Sequence, residues 1–223
     1  MIVAIDGPAG SGKSTVAREV ARRLGFTYLD SGAIYRAVTL RALEEGADLD
    51  DGAALGEVAR GLDIQLQRRD ADNAQVTVDG RDVSEAIRDP RVTGASSTVA
   101  AHPRVREALL EKQRALMASG NYVVEGRDIG TVVAPDAPVK VFLTADPEER
   151  ARRRAAELER RGLSIDRDEV RAAIEQRDNL DSTRSAAPLR RADDAELIDT
   201  TGLDAGEVAD RIVELVARAR AAR

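Results

Sequence analysis

Short apolar runs alternate with longer amphipathic stretches along most of the chain. Five runs have the continuous apolar character of buried parallel strands, and they lie at residues 2–6, 26–30, 121–125, 139–143 and 196–199. Apolar residues recur at helical spacing between them, which predicts helices at 15–24, 34–43, 49–62, 104–119, 146–161, 165–180 and 205–219. Strands that alternate with helices in this way predict a three-layer α/β fold around a five-stranded parallel sheet.

The pattern changes between residues 63 and 83. Apolar and polar residues alternate there in three short segments, 63–68, 74–79 and 80–83. A period of two is typical of antiparallel strands with one face in water. We therefore expect a small antiparallel sheet inserted into the α/β pattern. The segment that follows, 84–102, is predicted to be helical or turn-like and to be broken at Pro90.

A glycine-rich stretch follows the first predicted strand. Residues 7–14 read G-P-A-G-S-G-K-S and match the phosphate-binding pattern G-x-x-x-x-G-K-[ST]. Glycines let this loop, the P-loop, turn its backbone N–H groups toward a phosphate at the N-terminus of the next helix. Lys13 is expected to reach the β- and γ-phosphates with its side chain exposed to the ligand, and the Ser14 hydroxyl is expected to bind Mg²⁺. An ordinary glycine-rich turn is the less favoured alternative, because a strand precedes the motif and a helix follows it.

Polar residues follow every predicted parallel strand. Ligands bind beyond the carboxyl ends of such strands, so these residues should share one edge of the sheet. They are Asp6, Asp30–Ser31, Arg127–Asp128, Thr144–Asp146 and Asp199–Thr201. A carboxylate that holds the metal is expected there, with Asp128 and Asp146 as candidates, although either can instead be a helix cap.

Further candidate site residues follow the second predicted strand. Ser31, Gly32 and Ala33 have the character of a turn and helix cap. From the start of the helix that follows, Ser31, Tyr35 and Arg36 can project toward the P-loop.

Composition and charge narrow the class of protein. Of 223 residues, 43% are hydrophobic and 33% charged, and the formal net charge is −6, which is typical of a globular domain and not of a protein that coats nucleic acid. The lack of cysteine excludes disulfides and thiolate metal sites, and the single histidine, His102, excludes mechanisms that need several imidazoles. No apolar run approaches membrane length. We expect a monomeric cytoplasmic protein with no nucleic acid polymer and no membrane as partner.

Five segments together resemble the bacterial cytidylate kinase family. They are GPAGSGKS at 7–14, LDSGAIYRA at 29–37, PRVREALL at 103–110, VEGRDIGTVVAPDAPVKVFL at 124–143 and QRDNLDSTRSAAPL at 176–189. The resemblance implies a P-loop kinase fold and transfer of the γ-phosphate of ATP to CMP or dCMP, with Mg²⁺ as cofactor. It also implies one domain, 1–223, with its core at 1–30, 103–148 and 183–223, a nucleoside-monophosphate-binding region with the small sheet at 31–102, and a lid at 150–182.

The resemblance further implies which residues form the site. Those that bind ATP would be Gly7, Pro8, Ala9, Gly10, Ser11, Gly12, Lys13, Ser14, Thr15 and, on the lid, Arg153 or Arg154. Those that bind CMP would be Ser31, Tyr35, Arg36, Ser97, Arg106, Arg127, Asp128, Arg177, Asp181 and Arg184. Among them Arg36 and Arg127 would hold the acceptor phosphate. The cytosine would meet Ser97, Arg106 and Asp128, and the ribose and phosphates would meet Arg177, Asp181 and Arg184.

The chemistry of phosphoryl transfer is consistent with this assignment. The reaction needs alignment and charge neutralisation more than covalent chemistry, and arginine supplies planar, bidentate donors for both. A solvated helix face is the alternative for the arginines at 150–154. The helix at 150–161 and the inserted sheet are expected to be the parts least tied to the core and to close over substrates.

Other P-loop proteins stay open as alternatives. A regulatory GTPase is disfavoured, because no asparagine of this chain is followed by lysine as an N-K-x-D segment requires. A nucleotide-binding module without turnover and another small-molecule kinase, of the uridylate or shikimate type, are not excluded by the sequence.

Overall fold

Strands and helices alternate along residues 1–68, 74–160, 162–163 and 165–222, the ranges that the computed structural model describes. The helices are α1 (Lys13–Leu24), α2 (Ser31–Glu44), α3 (Gly52–Gly61), α4 (Pro90–Ala101), α5 (Pro103–Leu116), α6 (Pro147–Arg160), α7 (Arg167–Thr183) and α8 (Ala205–Ala221). The strands are β1 (Ile2–Asp6), β2 (Thr27–Asp30), β3 (Ile64–Arg68), β4 (Ala74–Val78), β5 (Arg81–Asp82), β6 (Tyr122–Gly126), β7 (Val139–Thr144) and β8 (Glu196–Asp199). Within these ranges no helix combines the length and apolar character that crossing a membrane requires.

Five strands form one parallel sheet in the order β2-β6-β1-β7-β8. β1 lies at the centre, where Ile5 pairs with Glu125 of β6 on one side and with Val141 of β7 on the other. Its residues are buried from Val3 to Asp6, as expected of a strand covered on both faces. The predicted five-stranded parallel sheet is therefore confirmed.

Helices cover both faces of this sheet. Successive residues of a strand point to opposite faces, so Ala4 and Ile5 belong to different apolar clusters. The cluster around Ile5 includes residues of α1 and α8, and the cluster around Ala4 includes residues of α2, α3, α4 and α5. This arrangement confirms the predicted three layers.

β3, β4 and β5 form a separate antiparallel sheet, as the alternating pattern predicts. Ile64, Val76 and Val78 are buried in the same apolar cluster as the helices α2–α5. The small sheet is therefore attached to the core through its apolar face. The middle of the predicted insert, residues 69–73, lies outside the described residues.

Three local predictions need correction or completion. Ser31–Ala33 is not a turn before the helix but the first turn of α2, because Asp30 caps that helix by accepting from the N–H of Ala33 at 3.1 Å. Pro90 does not break a helix but opens α4, where its missing N–H costs no intrahelical hydrogen bond. The predicted helix end at Arg161 lies outside the described residues, and the helix predicted from residue 165 begins at Arg167, with Asp166 as its cap.

Candidate active site

The P-loop joins β1 to α1 and passes close to β7. A side chain on Gly7 has no room, because a Cβ there would lie 2.1 Å from the carbonyl oxygen of Leu143. Gly12 caps α1 with a φ of 86°, a left-handed conformation that favours glycine. The Ser11 hydroxyl donates to the carbonyl of Pro8 at 3.0 Å. The loop therefore leads directly into the N-terminus of α1, where backbone N–H groups favour an anion.

Lys13 is buried, so the prediction of an exposed side chain is wrong. Its ammonium lies inside the loop, where it donates to the carbonyl of Pro8 at 2.6 Å and to Ser11 Oγ at 3.4 Å. Burial, together with the nearby Arg127 guanidinium, lowers the pKa of Lys13 to about 7. A phosphate at the loop would counter both effects, because an anion favours the charged ammonium.

Ser14 contacts an acidic residue that the sequence analysis misses. Its hydroxyl donates to Glu125 Oε2 at 2.8 Å, and the hydroxyl of Tyr28 donates to the other carboxylate oxygen. Burial and the neighbouring Asp30 carboxylate raise the pKa of Glu125. Glu125 lies near the end of β6, directly beside β1, and this position at a strand end is the signal that identifies it. Thr15, the next P-loop residue, is exposed.

The two carboxylates proposed from the sequence as metal ligands have other partners. Asp128 is buried and forms ion pairs with Arg106 at 2.5 Å and with Arg184 at 3.6 Å, and its side chain does not cap the π-helical turn Ile129–Val133 that follows. Asp146 is exposed and accepts from the N–H of Glu148 at 2.8 Å. Asp146 is thus the helix cap that the sequence left as an alternative, whereas Asp128 belongs to a cluster of arginines.

That cluster joins the residues directly after β6 to α5 and α7. Arg127 donates to Asp181 at 2.8 Å, and Arg184 donates to the other Asp181 oxygen at 3.5 Å. Burial would raise the pKa of Asp181, but Arg127 and Arg177 hold it below its ordinary value. Burial and the neighbouring Arg127 lower the pKa of Arg177 to about 10, and its buried Nε has no hydrogen-bond partner within the described part of the chain. We call the following residues the arginine cluster: Arg106, Arg127, Asp128, Arg177, Asp181 and Arg184.

The arginine cluster holds more positive than negative charge. Four guanidinium groups accompany two carboxylates, and most of these side chains are buried. The cluster lies near the P-loop, because the N–H of Ala9 donates at 2.9 Å to Asp178, the neighbour of Arg177 on α7. Arg127 and Arg177 accordingly add to the effect of burial in lowering the pKa of Lys13. An anion bound between the two would relieve the repulsion among these cations.

Residues of α2, α4 and α5 form one side of the cluster. The Arg106 guanidinium lies over the ring of Tyr35, 5.1 Å from its centroid, and donates to the carbonyl of Ala100 at 3.1 Å. Ser97 is buried on α4. This side therefore presents an oriented donor, Arg106, next to an acceptor, Asp128.

Two further residues from the sequence analysis lie near Glu125. The Ser31 hydroxyl donates to the backbone carbonyl of Glu125 at 2.7 Å. Arg36 pairs with Asp30 at 2.7 Å, and its buried Nε has no hydrogen-bond partner among the described residues. Arg36 thus keeps an unused donor in the polar region between the P-loop and the arginine cluster.

The arginine-rich helix α6 is anchored at its first turns, contrary to the expectation that it is loosely tied to the core. Arg150 is buried and donates to the carbonyl of Ala9 at 3.0 Å. Arg153 donates to Thr200 Oγ1 at 2.9 Å and to the Thr200 carbonyl at 2.7 Å. Arg154 instead pairs with Glu157 of its own helix. The alternative of a solvated helix face therefore holds for Arg152, which is exposed, but not for Arg150.

Comparisons with known proteins agree over nearly the whole chain. The cytidylate kinase of Pelotomaculum thermopropionicum is 50% identical over 218 residues, which cover 98% of this chain and 96% of that protein. A bifunctional pantoate ligase/cytidylate kinase of Parasynechococcus marenigrum (strain WH8102) is 54% identical over 214 residues, which cover 96% of this chain and 43% of that protein. The chain thus spans less than half the length of this bifunctional relative.

A solved structure supports the fold alone. An uncharacterised protein from Eubacterium ventriosum ATCC 27560 superimposes with a TM-score of 0.51 at 15% identity and covers 97% of this chain and 98% of its own. The family model described as cytidylate kinase matches residues 3–218. This match and the 50% identity to a cytidylate kinase both extend over nearly the whole chain. The chain therefore belongs to the cytidylate kinase family.

Proposed function

We propose that the chain transfers the γ-phosphate of ATP to CMP or dCMP and so forms ADP with CDP or dCDP. One observation carries this proposal: α7, the helix that holds Arg177 and Asp181, contacts the P-loop directly, because the N–H of Ala9 donates to Asp178 at 2.9 Å. Two phosphate groups can then meet between cations from both sides. The 50% identity to a cytidylate kinase over 98% of this chain favours CMP as the acceptor over UMP and shikimate.

The donor phosphates bind at the P-loop, from Gly7 to Thr15. Backbone N–H groups and the N-terminus of α1 hold them, and Lys13 exchanges its bond to the Pro8 carbonyl for the β- and γ-phosphates. Arg153, which lies near Gly12 and bonds to Thr200, is the arginine we assign to the ATP side.

The acceptor phosphate binds between Arg36, Arg127 and Arg177. The buried Nε atoms of Arg36 and Arg177 have no hydrogen-bond partner among the residues that the structure describes, and a phosphate would supply the missing acceptor. An oxygen of the acceptor phosphate attacks the γ-phosphorus while the β–γ bridging oxygen leaves with ADP. Arginine donors on both sides align the groups and offset the charge that repels them. Arg184 and Asp181 lie at the same cluster and are assigned to the ribose and phosphate.

The nucleobase binds on the side of the cluster that α2, α4 and α5 form, which includes Tyr35 and Ser97. Cytosine carries a donor amino group at C4 next to an acceptor N3. Asp128 is an acceptor and Arg106 a donor, and the two are adjacent at 2.5 Å, so together they match that edge. Uracil reverses both positions and would oppose acceptor to acceptor and donor to donor.

The residues beside the P-loop fit a magnesium ion. Ser14 gives its hydrogen to Glu125, so the lone pairs of its hydroxyl oxygen stay available, and Glu125 adds a carboxylate. Mg²⁺ bound with nucleotides takes only one or two protein oxygens and fills its shell with phosphates and water. This agrees with the lack of any group of three metal-ligating side chains in the described part of the chain. When bound, the ion would offset phosphate charge.

Parallel assays of phosphate transfer from Mg-ATP test the proposal. CMP, dCMP, UMP, AMP and shikimate are supplied in turn, and ADP formation is measured. We expect the highest kcat/KM with CMP or dCMP. A higher value with UMP or shikimate, or nucleotide binding without turnover, would overturn it.

A further inference from the structure

A single residue of the P-loop, Ala9, is held through both of its backbone polar groups by α6 and α7. The N–H of Ala9 donates to Asp178 Oδ1 at 2.9 Å, and the carbonyl of Ala9 accepts from Arg150 Nη1 at 3.0 Å. Arg150 also donates to the other carboxylate oxygen of Asp178. We call this closed ring of Ala9, Arg150 and Asp178 the P-loop clasp.

The P-loop clasp is a constrained contact rather than a surface ion pair. The side chains of Arg150 and Asp178 are 10% and 18% exposed, and each makes hydrogen bonds to both the other and the loop. A Cβ on Gly10 would lie 2.8 Å from the backbone oxygen of Arg150, so α6 also presses directly on the loop. Exposed ion pairs contribute little to stability, but a buried pair with defined hydrogen bonds fixes geometry.

Asp178 connects this contact to the acceptor site because of its place on α7. It directly follows Arg177 and precedes Asp181 by three residues, which is less than one helical turn. If α7 shifts as a rigid helix relative to the P-loop, Arg177 and Asp181 must therefore also shift relative to the donor phosphates.

We propose that the P-loop clasp couples the two substrate sites, with Asp178 as the positioning residue. A nucleotide that orders the loop favours the seated position of α7, and that position presents Arg177 and Asp181 to CMP. This inference rests on the proposed function, and it adds a role for Asp178 and Arg150 that involves no contact with the reacting atoms.

The affinity for CMP, measured by calorimetry with and without a non-hydrolysable ATP analogue, tests the coupling. We expect the analogue to tighten CMP binding about 5-fold or more in the unaltered protein. Asp178→Asn keeps the shape and an acceptor for Ala9 but weakens the pair with Arg150, so the ratio should fall toward one. Arg150→Gln removes the other partner of the clasp and should lower the same ratio. This variant replaces Asp178→Asn in the test if Asp178→Asn does not fold.

Glu175→Ala is the matched control, because Glu175 is exposed on the same helix and pairs only locally with Arg171 at 3.0 Å. It should keep the ratio of the unaltered protein. A ratio that persists in both clasp variants, or that is already one in the unaltered protein, would overturn the coupling. A merely structural role would lower both CMP affinities and leave their ratio unchanged. If the unaltered protein does not phosphorylate CMP, the proposed function is contradicted instead. Failure of the coupling can therefore be distinguished from failure of the proposed function.

Discussion

Asp128→Asn is expected to shift nucleobase selectivity from cytosine toward uracil. The Asp128 carboxylate is buried, bonds to Arg106 at 2.5 Å and lies 3.6 Å from Arg184. It can only accept hydrogen bonds, which suits the amino group of cytosine and opposes the O4 oxygen of uracil. The amide of an asparagine can instead turn its NH₂ group toward O4. The substitution therefore weakens the contact with CMP and removes a repulsion with UMP.

The contacts of Asp128 set the size of the effect. A hydrogen bond that involves a charged group contributes about 1.5–3 kcal/mol. At about 1.4 kcal/mol for each tenfold change, the ratio of kcat/KM for CMP over UMP should fall about 10- to 150-fold. Loss of the negative charge also leaves Arg106 and Arg184 without one carboxylate, and breaking a buried ion pair can cost about 3–5 kcal/mol of stability. The melting temperature is therefore measured alongside.

The assay compares kcat/KM for both nucleotides in the unaltered protein and the variant. Asp146→Asn is the control, since Asp146 caps α6 at the surface and its loss should leave the ratio unchanged. Arg106→Met should move the ratio in the same direction as Asp128→Asn, because it removes the donor that faces N3. If Asp128 only orders the following turn or a metal ion, both nucleotides lose kcat/KM in parallel. A constant ratio would thus remove Asp128 from the base pocket.

Four further predictions concern charge, substrate binding and motion. Lys13→Ala should lower kcat by about 10³-fold or more. Burial and Arg127 lower the pKa of Lys13 to about 7, and only the ammonium attracts phosphate. ATP affinity measured by calorimetry should therefore fall as the pH rises through that value and should vary less in the variant. Asp181→Ala should raise the KM for CMP more than the KM for ATP, whereas equal losses would indicate a disturbed α7. Hydrogen exchange should slow in the part of α6 beyond its anchored first turns and in the small sheet when CMP and an ATP analogue bind together, and no change in either would contradict closure.

Local sequence patterns suffice for the sheet and the P-loop because the signals are contiguous. β1, the glycine loop and α1 occupy residues 2–24, and each is defined by neighbours a few positions away. The start of α2 is less certain from sequence, because Asp30 and Ser31 are both good helix caps and only the contact with the N–H of Ala33 selects Asp30. The segments that resemble the family also identify the arginines of the cluster. Their ion pairs with Asp128 and Asp181 depend on the tertiary structure and cannot be predicted from those segments.

The contacts that the sequence does not reveal join distant parts of the chain. Ser14 and Glu125 are 111 residues apart, and Ala9 and Asp178 are 169 apart, so no local pattern links them. The net charge of −6 is equally uninformative about the site, because it averages the whole chain and several surface arginines have acidic partners, such as Arg22 with Glu19. At the arginine cluster the balance is reversed, and burial makes each uncompensated cation count for more. Burial lowers the pKa values of Lys13 and Arg177, and the local excess of cations lowers them further; a pair of phosphates is the ligand that would counter both effects.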